Sequence, residues 1–221
     1  MTNQLYILSL FELKKNLVYS KTWITNALFI LVNISIFPFA MNSNSSEILD
    51  QFFLPVIMTS LLLGIVLITC HVFDDDASDE TLSQFQIFGV RFYVIYLSKV
   101  IAASIEFILI LGLILPLAGI FYSIPLVIIA KISLVIILSI PLLTSISIFG
   151  AMLTLNLQKN STIAILLTFP LLISVLIILG IAANRIIETS NFIEGLSYLE
   201  INLGVTLLLL PPLCWLSKYL N

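Results

Sequence analysis

The chemistry open to this chain is concentrated in two places, a run of acids from Asp74 to Glu80 and the pair Lys99 and Glu106 within an apolar stretch. Five of the twelve acidic residues, Asp74, Asp75, Asp76, Asp79 and Glu80, fall in the first. Carboxylates placed so suit the opening turn of a helix, where free N–H groups and the positive dipole end favour negative charge. Leu82, Phe85 and Phe88 then recur at helical spacing with Ser83, Gln84 and Gln86 between them. Residues 73–88 therefore read as a short amphipathic helix on a membrane surface. A solvated loop would account for the charge alone. The added apolar face suits docking of a soluble partner, through Asp75, Asp76, Asp79, Leu82, Gln84 and Phe85.

Glu106 follows Lys99 by seven positions, which puts both on one helical face with Glu106 about 10 Å further along. An acid inside a membrane span is a functional candidate, because burying it is costly. If the span starts later, Glu106 sits at headgroup level instead. His71, the single histidine, either ligates a haem or metal or reaches toward water and the acids Asp74 and Asp75. No other residue types are spaced for a reaction. None of the eight glycines precedes a lysine, so there is no P-loop, and no His/Cys metal cluster or Gly-x-Ser-x-Gly occurs. The nine basic residues form no patch for nucleic acid. The chain is expected to be neither an enzyme nor a nucleic-acid binder.

The elements that must position these residues are membrane helices. At 60% hydrophobic and 10% charged residues, with a mean hydropathy of +1.18, the composition lies far outside that of soluble domains. About 20 apolar residues cross a bilayer, so 221 residues leave room for six spans. These are expected at about 23–40, 52–73, 93–122, 125–155, 162–183 and 199–216, in a single transmembrane domain covering 1–221. Residues 41–50 form a loop, Ser123-Ile124-Pro125 a tight turn, and 184–198 a polar segment. Pro116, Pro141 and Pro170 should kink their spans rather than break them. Ahead of span one, Ser9, Glu12, Asn16 and Ser20 oppose Tyr6, Leu10, Leu13 and Leu17, the pattern of an interfacial helix. Glu12 and Lys14 mark its polar side, with Lys14, Lys15 and Lys21 available to anionic lipid headgroups. No cleavable signal peptide is expected, and no disulfide between Cys70 and Cys214.

Basic residues fix the orientation. Lys14, Lys15, Lys21, Arg91, Lys99, Lys159 and Lys218 fall on one side, and Arg185 and Lys131 on the other. Both termini and the acidic helix are thus expected in the cytoplasm.

Several of these stretches resemble one family. Leu10-Phe11-Glu12-Leu13-Lys14, Ile36-Phe37-Pro38-Phe39, Leu97-Ser98-Lys99 and Phe169-Pro170-Leu171-Leu172 are similar to segments of the CcmB-type permeases, the membrane component of the cytochrome c maturation haem exporter. The most specific is Phe73 to Gln84, which resembles the family signature F-x-D-D-x-x-D-G-(S/T)-L-E-Q, with Glu80 in place of its glycine and Ser83 in place of its glutamate. The resemblance implies an all-α, six-span ABC-2-type permease of the bacterial inner membrane, or of the mitochondrial inner membrane. It implies a homodimer working with a separate ATPase subunit, which binds the ATP, and with haem-handling membrane proteins. Haem would be the cargo and would not be held firmly by this chain. An ABC-2-type permease for a lipid-linked glycan, or a non-transporting subunit that anchors an ATPase to a haem-delivery complex, would share the acidic helix.

Overall fold

The computed structural model describes residues 2–19, 22–40, 46–72, 90–153 and 161–189, together with positions 200 and 204. Among the described residues there is no strand. In hydrocarbon each backbone polar group must find a partner, and a helix supplies these partners within one segment. The helices are α1 (Thr2–Lys14), α2 (Thr22–Ala40), α3 (Ser46–His71), α4 (Phe92–Tyr122), α5 (Leu126–Leu153) and α6 (Ser161–Thr189), with a π-helical turn at Lys15–Tyr19 extending α1. Four stretches, Trp23–Ala40, Phe92–Tyr122, Leu126–Leu153 and Thr168–Arg185, are long and apolar enough to cross a membrane. The apolar part of α3 is shorter, Gln51–Leu67.

α2, α4 and α5 occupy nearly the residues expected for spans one, three and four, and two other helices run past the residues expected for their spans. Residues 46–50, read as loop, are the first turn of α3. Ser46, Glu47 and Asp50 are polar, which suggests a connection, yet they are also the residue types that helix starts favour. At its far end α6 continues to Thr189 instead of stopping near 183, because Ala182 to Glu188 keep helix-forming residues after the apolar run ends. The surface helix at 73–88 and most of the sixth span at 199–216 lie outside the described residues. Pro38, Pro55, Pro116, Pro141 and Pro170 all sit inside helices that run on through them.

The turn from α4 to α5 shows how local sequence stops a helix. Ser123 adopts the left-handed conformation (φ 56°), its N–H bonds Ile120 O, and Ile124 N–H bonds Gly119 O at 3.0 Å. These are the two bonds of a Schellman cap, and Pro125 then prevents the helix from continuing.

α4 packs against α1, α2 and α5, while α3 packs against α2, α5 and α6. From α2 to α5 sequential helices alternate in direction, whereas α1 runs along α4 in the same sense as α2. Tyr96 near the start of α4 donates to Ser145 O at 3.0 Å, whereas Gly119 near its end meets Ile129 near the start of α5. Rings gather at one end of the bundle: Phe37 stacks on Phe52 at 5.9 Å and Phe53 meets Tyr122 edge-on at 5.5 Å. Gly64 lets α3 approach α2 and α4, since a Cβ there would come within 2.9 Å of both Ile30 Cδ1 and Phe107 Cζ. The outward faces carry Leu109, Leu113, Ile120, Val127, Leu166 and Ile177, an apolar surface suited to lipid.

Candidate functional site

Where α1 lies along α4, the chain buries charge. The periodicity of residues 4–21 predicts a helix, and α1 is one, but its polar edge does not face water. Ser9 and Glu12 are buried while Tyr6, Ile7, Leu10 and Phe11 point outward. A physical reason lies in what α4 offers. Lys99 and Glu106 both face α1, and only its polar edge can pair with them. In a lipid setting the apolar face costs nothing when it is left outside, whereas an unpaired charge would cost a great deal. The expected arrangement of the interfacial helix is thus reversed for Glu12, while Lys14 is exposed.

The contacts form a chain of partners. Lys99 Nζ lies 3.2 Å from Glu12 Oε1, with both residues 2% exposed. The same ammonium donates to Val72 O, immediately after α3, at 3.1 Å. One turn beyond Glu12, Asn16 Nδ2 donates to Glu106 Oε2 at 3.0 Å, and Asn26 of α2 makes a second side-chain hydrogen bond to Glu106. Glu106 is the fifteenth of the 31 residues of α4 and 3% exposed, far from either helix end. Trp23, in the first turn of α2, donates its indole N–H to Leu17 O at 2.9 Å and so ties α2 to the π-helical turn after α1.

Glu12 and Glu106 are legible as candidates because an acid in an apolar setting is conspicuous. Sequence reasoning gives Lys99, Asn16 and Asn26 no partners, although a signal exists: Glu12 and Asn16 share one face of their helix, as Lys99 and Glu106 share one face of theirs. Asp75, Asp76, Asp79, Leu82, Gln84 and Phe85 lie outside the described residues, which stop at Val72 just before them and resume at residue 90. His71 is the last residue of α3. Among the described residues no three His, Cys, Asp or Glu side chains are gathered as a metal site would require.

A second polar region lies inside the bundle. Ser104 Oγ and Thr144 Oγ1 share a hydrogen bond of 2.8 Å between α4 and α5, and Asn33 Nδ2 donates to Ser60 Oγ at 2.8 Å between α2 and α3. Ser147 Oγ donates to Ile65 O. These groups can bind and orient polar atoms, but none is a strong acid, base or nucleophile.

Together the long apolar helices and the buried charges define an all-α, multi-pass membrane protein. Within that class, the CcmB protein family matches residues 4–214, all but the first three and last seven positions, and the chain belongs to it. This is the family of haem-exporter permeases of cytochrome c maturation that the motifs resembled, membrane subunits of an ATP-binding-cassette system. No curated protein matches the chain closely enough to count as a relative.

Proposed function

We propose that this chain is one membrane half of a dimeric, six-span, ABC-2-type permease that exports haem for c-type cytochrome assembly. A separate ATPase subunit binds ATP and docks on residues 73–88 through Asp75, Asp76, Asp79, Leu82, Gln84 and Phe85. The observation that carries this reading is the family match across 4–214. The geometry supports it at one point: Val72, the residue that leads into 73–88, has its carbonyl held by Lys99 of α4. Force applied to the run would be delivered into the bundle there.

In this reading both termini and residues 73–88 face the cytoplasm, as the distribution of basic residues favours, and the membrane is the bacterial inner membrane. The sixth span is 199–216. Haem is cargo, ligated by haem-handling membrane partners, since this chain has one histidine. Glu106, held by Asn16 and Asn26, keeps α1, α2 and α4 in register beside the path of movement.

The test is a detergent pull-down of the chain from its own cells, with mass spectrometry of bound subunits and an absorption spectrum for haem. A P-loop ATPase together with haem-pathway membrane proteins is expected. An ATPase with glycan or lipid enzymes would transfer the reading to another substrate, and recovery of no ATPase would end it. Reversing charge with Asp75→Lys and Asp79→Lys should abolish ATPase recovery while membrane insertion persists.

A further inference from the structure

Lys99 joins two elements that no backbone ladder connects. Its ammonium donates to Val72 O at 3.1 Å and lies 3.2 Å from Glu12 Oε1. Val72 is the residue after α3 and the last before the 73–88 segment. Glu12 belongs to the last turn of α1, and four residues on, Asn16 reaches Glu106 in the middle of α4. A displacement of Val72 is therefore felt first at one ammonium, then at Glu12, and through α1 at Glu106.

These contacts to Val72 and Glu12 differ in kind. The bond to Val72 O is an aligned hydrogen bond, whereas Glu12 Oε1 has no aligned donor and is held by charge alone. A hydrogen bond depends steeply on angle, and an ion pair does not. When Val72 moves, its hydrogen bond draws the ammonium with it, and the ion pair, which tolerates a change of angle, carries the shift to Glu12.

We infer that Lys99 is a positioning residue for energy coupling, passing movement of the 73–88 segment to α1 and Glu106. The inference rests on the docking role given to that segment above. It differs from a purely structural role in one measurable respect. A buried ion pair that only holds structure can be replaced by apolar residues of similar volume with little loss. Apolar residues keep the packing of a relay but remove its grip on Val72.

The experiment uses the complex in its own cells, comparing wild type with Lys99→Arg and with the double variant Glu12→Leu, Lys99→Met. Three quantities are read: ATPase retained on the purified complex, its ATP hydrolysis, and the yield of holo c-type cytochrome. Taken relative to the ATPase retained and the ATP it hydrolyses, the cytochrome yield of the double variant should fall by about tenfold, within the range usual for coupling between sites. Lys99→Arg, which keeps the charge and the donors, should restore most of that yield. Wild-type yield from the double variant overturns the inference and leaves the docking reading intact. Equal loss in Lys99→Arg overturns it as well, since packing rather than the held charge would then decide. If the double variant fails to assemble, Glu12→Gln takes its place, with the same expected loss and the same overturning result. A wild-type complex that retains no ATPase strikes the docking reading itself, and this inference with it.

Discussion

Two seams of this bundle handle polarity in opposite ways. Between α1 and α4 the polar groups are charges and amides whose partners are remote in the chain: Glu12 with Lys99, Asn16 with Glu106. Among α2, α3, α4 and α5 they are mostly hydroxyls, several of which also bond a carbonyl of their own helix. Ser98 donates to Ile95 O at 2.8 Å, Ser139 to Val135 O at 3.0 Å and Ser145 to Leu142 O at 2.7 Å. A hydroxyl can carry its partner with it one turn back, and a carboxylate or ammonium cannot. The first seam is therefore specified pair by pair and fails if either member is lost. The second is specified by packing, with hydrogen bonds as small additions, so the two should respond very differently to the same kind of truncation.

The largest contrast comes from Lys99→Met alone. It leaves Glu12 buried without its cation, which costs about 3–5 kcal/mol. The melting temperature of the protein in detergent should fall steeply, and adding Glu12→Leu should recover most of it. If the single variant melts like wild type, the α1/α4 seam is no more demanding than the interior and the contrast collapses. Next is Asn16→Leu, which removes the donor to Glu106 Oε2 and keeps the bulk. Glu106 keeps its bond from Asn26, so losing this one donor costs about 1–3 kcal/mol, and melting should drop by less than for Lys99→Met. Its effect should shrink when Glu106→Gln is present as well.

How much of this is legible in the sequence depends on whether the signal is local. The facing ends of α4 and α5 are readable because Ser123-Ile124-Pro125 is a stop signal on its own, a left-handed cap followed by proline. The start of α3 is misplaced by sequence because a polar run such as Ser46 to Asp50 serves equally as a loop or as a first helical turn. The burial of Glu12 escapes it for a deeper reason. Helical periodicity divides α1 into two faces but does not say which faces the protein, and the rule learned from soluble helices gives the wrong answer next to lipid. The deciding residue, Lys99, lies 87 positions away by its number in the chain. Glu106 is conspicuous by its own chemistry, whereas its holders Asn16 and Asn26 are ordinary until α1, α2 and α4 are assembled.

The interior seam should give smaller effects. Ser60→Ala removes the acceptor of Asn33 Nδ2, but its own bond to Val56 O at 2.6 Å is local and its loss leaves a carbonyl that stays in the helix ladder. About 1 kcal/mol is expected. The smallest belongs to Ser104 and Thr144, which share 2.8 Å across α4 and α5 while each also donates along its own helix, to Val100 O at 2.7 Å and Ile140 O at 2.9 Å. A hydroxyl has one proton, so these bonds compete and the contact between the helices cannot be fully made at the same time as both local ones. A double-mutant cycle of Ser104→Ala and Thr144→Val, read by melting in detergent, should therefore give a coupling of only about 0.6 kcal/mol, the average found between membrane helices. A coupling as large as that of Glu12 with Lys99 would mean that this hydroxyl pair also specifies its helices pairwise, and that the division between the two seams is false.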